Sequence, residues 1–206
     1  MKRMTSFSKL FSVTMTAAIL AFFSAMARAQ VKADNIYGVE RGQIPVLQLG
    51  LQYDATRANA PPSGCGCFWM QGGGVQVDFT IHRNWSAVAD LSGANAAKIN
   101  GTDERLSTLN YVFGPRYSLW NHTRYTPYVQ ALFGGSKVFS NYSAYALKPN
   151  YFALQVGGGL QYHLNRVLSI VPVEANWVRS QAVNGVNDYQ NNIRVGAGIT
   201  LQVGPR

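Results

Sequence analysis

The chain has 206 residues and a formal charge of +9, with 12% aromatic and only 13% charged side chains and a mean hydropathy of −0.05. That length fits about one domain, and its Lys and Arg residues are scattered with no cluster to track a phosphate backbone, which argues against nucleic acid as a partner. After the N-terminus no stretch is long and apolar enough for a transmembrane helix of roughly 20 residues, so a helical membrane protein is excluded too.

Lys2, Arg3 and Lys9 precede an apolar run from Leu10 to Phe23, and Ala27-Arg28-Ala29 follows as a small-x-small cleavage site. Residues 1–29 therefore read as a signal peptide, whose removal takes four positive charges with it. Residues 30–45 read as a short N-terminal segment and residues 46–206 as a single β-domain.

Val46 to Ala55 alternates Leu47, Leu49, Leu51 and Tyr53 with Gln48, Gly50 and Gln52, the period of two that marks a strand. The pattern returns over Met70 to Ile81, where Val75, Val77, Phe79 and Ile81 oppose Gln76, Asp78 and Thr80, and is clearest from Asn192 to Val203. Trp85 to Ala94, Leu106 to Ser118, Tyr125 to Ser136, Tyr151 to Tyr162 and Leu168 to Trp177 are strand-like in composition and bring the count to eight. In the seventh, an inward Glu174 and Asn176 would carry Leu168 and Ile170 inward as well, which predicts a bulge near Pro172.

Long connections (56–69, 95–105, 137–150 and 178–191) alternate strictly with short ones (82–84, 119–124 and 163–167). An antiparallel meander with long loops on one rim and tight turns on the other fits an eight-stranded transmembrane β-barrel. Its low mean hydropathy follows, because each spanning strand shows lipid one face and the lumen the other. Trp85, Tyr117, Tyr125 and Tyr162 fall near the short-turn rim and Tyr53, Tyr151 and Trp177 near the long-loop rim, where interfacial girdles belong.

Candidate chemistry is sparse. His82, His122 and His163 each fall in or beside a short turn and read as solvated turn residues, with no catalytic triad to assemble from them. Cys65-Gly66-Cys67 sits in the first long loop. An exported chain favours a local disulfide there; intermolecular pairing or free thiols come next. A metal site ranks last, since no further ligand lies nearby in sequence. Gly72-Gly73-Gly74 and Gly157-Gly158-Gly159 open no helix, so they read as close-packing devices rather than phosphate loops. Asp78, Asp90, Arg116, Glu174 and Arg194 fall on the inward face. In a barrel whose interior is only wide enough for side chains they form an ion-paired polar plug. Counting outward from Asn184 as the centre of the last long loop places Glu174 opposite Arg194.

Asn59-Ala60-Pro61-Pro62, Cys65-Gly66-Cys67-Phe68, Phe113-Gly114-Pro115-Arg116-Tyr117, Leu132-Phe133-Gly134-Gly135 and Asn191-Asn192-Ile193-Arg194 resemble a family of small bacterial outer-membrane β-barrels. More distantly the chain resembles the membrane domain of outer membrane protein A. The resemblance implies an eight-stranded barrel with a structural or surface role and carries no catalytic residue, cofactor or metal ligand to transfer. The expected partners are outer-membrane lipid and, through the long loops, an extracellular ligand or protein, with the chain itself a monomer. Two rivals are a secreted soluble barrel with an apolar ligand inside, and a lipid-modifying barrel enzyme. The first requires apolar residues within and polar ones without, and the second a histidine beside a nucleophile.

Overall fold

The structure is a computed structural model that describes residues 44–58, 67–99, 103, 105–120, 123–140, 150–183 and 188–205. The expected signal peptide and most of the short N-terminal segment lie outside them. Eight strands follow one another: β1 (Pro45–Ala58), β2 (Phe68–His82), β3 (Trp85–Ala96), β4 (Leu106–Ser118), β5 (Tyr125–Ser140), β6 (Tyr151–His163), β7 (Leu168–Ser180) and β8 (Gln190–Pro205). Each pairs antiparallel with the next, and β8 returns to pair with β1, closing the sheet into a barrel. Closure leaves no open edge, so every strand has backbone partners on both sides.

Period two sets the faces. Phe79 is 50% exposed while its neighbour Asp78 is 2% exposed, and the contrast repeats between Phe113 and Val112 and between Ile193 and Arg194. Leu51, Val75, Val77, Phe133 and Val195 continue an apolar outer wall, and Gln48, Gln76, Asp90, Gln130 and Gln155 point inward. This is the reverse of a soluble barrel, whose core is apolar and whose surface is polar. It is opposite to what the secreted ligand-binding barrel requires.

The strands run further toward the long-loop rim than the sequence pattern indicates: β5 continues to Ser140, β7 to Ser180, and β8 begins at Gln190. There the outward positions mix Phe139 with Lys137, Arg179 and Asn191 while pairing persists, so hydrophobic alternation fades before the ladder ends. The bulge expected near Pro172 is present. The β7–β8 register shifts between Val171 and Glu174, and Pro172 and Val173 are both exposed. Ser169 and Val171 face inward below this point, and Glu174 and Asn176 above it. A residue without an N–H is tolerated where the ladder is already broken.

Candidate functional site

The middle of the lumen holds one connected polar network to which seven strands contribute. Arg194, from β8, donates through Nη2 to Asp90 Oδ2 at 2.8 Å and through Nη1 to Asp90 Oδ1 at 3.3 Å, and Nη1 also donates to Ser92 Oγ. Its Nε lies 4.0 Å from Asp54 Oδ2 of β1. Arg116, from β4, donates to Asp78 Oδ2 at 3.1 Å, to Gln76 Oε1 at 2.6 Å and to Gln130 Oε1, and its guanidinium lies 4.2 Å from the centre of the Tyr128 ring. A planar fork with five donors suits such shared pairing better than an ammonium would.

Glu174 is the hub between the two arginines. It accepts from Gln76 Nε2 at 3.1 Å, Gln130 Nε2 at 3.2 Å, Asn176 Nδ2 at 2.7 Å and the Tyr128 hydroxyl. The β6 strand supplies space instead of polar groups. Gly159 stands opposite both Tyr128 and Glu174, and a Cβ there would come within 2.6 Å of the tyrosine oxygen. The absent side chain lets the Tyr128 ring lie flat enough to reach the carboxylate. The described residues of the lumen thus contain four carboxylates, Asp54, Asp78, Asp90 and Glu174, against two guanidiniums. Such charges are tolerable in a narrow interior only because they share donors.

Two further layers flank this network. Toward the long loops Phe68, Met70, Leu106, Val138 and Tyr151 close the lumen with an apolar cluster, joined by Ala58, Ala96, Ile99 and Ala182. Toward the short turns Gln161 donates to Gln48 at 3.0 Å, and the Thr80 hydroxyl donates to the Pro45 carbonyl at 2.7 Å. His163 joins this lower layer. Its Nδ1 lies 2.8 Å from Ser169 Oγ and 3.0 Å from Gln202 Nε2, its Nε2 lies 2.9 Å from Thr126 Oγ1, and Trp120 stacks on its ring. An amide N–H from Gln202 makes Nδ1 the acceptor and Nε2–H the donor to Thr126. A small cavity beside Gln76, Arg116, Tyr128 and Glu174 has room for about one water molecule.

Asp78, Asp90, Arg116, Glu174 and Arg194 all lie in the lumen and are brought together. Glu174 and Arg194 approach to 3.7 Å, but they are not direct cross-strand partners. Asn176 faces Arg194 and Glu174 faces Gly196, so the hairpin is centred one residue beyond Asn184. That moves the pairing by two positions, which preserves the face and changes the partner. Gln76 lies on the polar face with Asp78 as its alternation requires, whereas Asp54, Tyr128 and Gln130 join the network without a signal beyond the inward parity of their strands. His163 is a half-buried side chain bonded into the lumen layer at the end of β6 rather than a solvated turn residue, and Tyr151 belongs to the apolar cap rather than the outer girdle. Both are in phase with inward Gln155 and Gln161, and phase outweighs nearness to a rim. His82 is exposed at the end of β2, while His122 lies outside the described residues. Cys67 is exposed, and Cys65, and with it the expected disulfide, lies outside them. No cluster of metal-ligating side chains occurs among the described residues.

No family model and no curated protein sequence matches the chain. Solved structures do. Neisserial surface protein A superimposes with a TM-score of 0.61 at 13% identity, covering 76% of this chain and 96% of that one. Ail, the attachment invasion locus protein of Yersinia pestis, gives 0.49 at 15% identity over 76% of this chain and 99% of its own. The outer membrane protein OprG of Pseudomonas aeruginosa gives 0.46 at 11% identity over 78% and 97%. At 13% identity the likeness to Neisserial surface protein A is one of fold, a closed eight-stranded outer-membrane β-barrel.

Proposed function

We propose that the chain is an integral outer-membrane β-barrel with a structural or surface-interaction role and a closed lumen. The observation that carries this is the inversion of its faces, with an apolar wall outside and a hydrogen-bonded ionic network inside. Only a lipid environment makes the outer wall favourable, since in water a continuous apolar patch of that extent drives association. Short turns then face the periplasm and long connections the exterior, so recognition of a ligand or protein partner falls to the long connections, with the chain acting as a monomer. The test is extraction of membranes carrying the exported protein with alkaline buffer. The barrel should stay in the pellet and leave it only with detergent; a monodisperse protein in detergent-free buffer would overturn the reading.

A lipid-modifying enzyme has one specific feature in its favour, the approach of His163 to Ser169. Against it, Ser169 is fully buried, and the ring's hydrogen-bond partners among the described residues, Thr126, Ser169 and Gln202, are all uncharged. A nucleophile must be reachable by its substrate, and its base must be oriented by a third group. No catalysis is therefore proposed.

A further inference from the structure

We infer that the short-turn rim is a binding surface for anionic phospholipid headgroups; this rests on the membrane reading above. The three short connections span 83–84, 119–124 and 164–167, and each carries one arginine: Arg83, Arg124 and Arg166, all exposed. None of them contains an Asp or Glu. The long connections, by contrast, mix signs, with Asp103, Glu104 and Asp188 among their lysines and arginines. The three turns of that rim thus carry positive charge and no negative charge.

What lies just above those arginines fixes the partner as lipid. Trp85 pairs across the sheet with Tyr117, ring centres 5.0 Å apart, and Tyr125 with Tyr162, also at 5.0 Å. Trp85 and Tyr125 are about half exposed on the outer wall, next in sequence to the turns that hold Arg83 and Arg124. Rings of this kind settle at the boundary between acyl chains and headgroups. An arginine one turn further out therefore sits at phosphate depth, where its fork binds phosphate oxygens in pairs. A soluble protein partner would have no use for that depth ordering.

Arg83 adds a separate argument. It is the first central residue of the two-residue turn between paired His82 and Trp85, and its φ is 37°, the single positive value among the described non-glycine residues. Hairpins with a left-handed first position favour glycine there, and a side chain with a Cβ is strained. Local stability therefore does not account for an arginine at this position, whereas a headgroup contact does.

The experiment uses the mature chain in lipid bilayers, in a Trp69→Phe, Trp177→Phe background so that Trp85 and Trp120 report from the short-turn rim. Quenching of their fluorescence by brominated phosphatidylglycerol is compared with quenching by brominated phosphatidylcholine. The anionic lipid should associate more strongly. Arg83→Gly should lower that preference by about fivefold, the equivalent of about 1 kcal/mol per basic residue at an anionic surface, without lowering the unfolding midpoint. Adding Arg124→Gln and Arg166→Gln should abolish it, while Arg57→Gln with Arg179→Gln, on the opposite rim, should leave it unchanged. Equal quenching by the two lipids in the parent would overturn the inference, as would a lower unfolding midpoint accompanying the loss in Arg83→Gly. Insertion into neither bilayer would instead contradict the membrane reading itself.

Discussion

Arg194 pairs with Asp90 through two hydrogen bonds, yet reaches Glu174 only at 3.7 Å. The pairing energy should be divided accordingly. Arg194→Gln leaves several buried carboxylates without their counter-ion and should cost about 3–5 kcal/mol of barrel stability. In double-mutant cycles the Asp90→Asn and Arg194→Gln pair should show the larger coupling, about 1–3 kcal/mol, and Glu174→Gln with Arg194→Gln a smaller one. Equal couplings, read from denaturant unfolding in detergent or lipid, would contradict the distances. Gln155 offers the opposite sign. It is fully buried, and neither its amide oxygen nor its nitrogen has a hydrogen-bond partner. Gln155→Met removes a desolvated amide at nearly constant volume beside the buried Leu132 with which Gln155 is paired, and should raise stability by about 1 kcal/mol.

At the scale of the strand, period two made most of the fold legible. One alternating run such as Val75 to Ile81 fixes which residues face out, and alternating loop lengths fix the meander. The Pro172 bulge was legible for the same reason, because an unbroken phase would have put Leu168 and Ile170 in the lumen with Glu174. What the pattern hides is whatever lacks amphipathic contrast. The apolar cap comes from inward Phe68, Met70, Leu106 and Val138, whose outward neighbours include Trp69 and Phe139, so hydrophobicity alone does not separate the faces there. Register was also beyond reach, since it depends on where a long loop is centred. The glycine runs mark close packing in the sequence but not the partners they pack against, and those partners give a paired prediction. A Cβ on Gly159 would meet Tyr128 Oη at 2.6 Å and the Val173 carbonyl at 2.8 Å, whereas one on Gly50 meets nothing nearer than 3.4 Å. Gly159→Ala should cost about 1–3 kcal/mol by pushing Tyr128 off Glu174, and Gly50→Ala should be nearly neutral. Thermal unfolding of the two variants side by side checks the difference.

The molecule as a whole is proposed to span the membrane without opening a path through it. Eight strands enclose an interior about wide enough for side chains alone, and here three layers fill it. The His163 layer lies toward the short turns, the Arg116–Glu174–Arg194 network at mid-height, and the Phe68–Tyr151 cap toward the long loops. A hydrated ion would have to break buried ion pairs and then cross an apolar constriction, each a large barrier. Single-channel recording of the purified protein in a planar bilayer tests this most directly. The barrel should be electrically silent, with no large stable steps at either polarity; sustained porin-like conductance from the intact protein would show an open lumen.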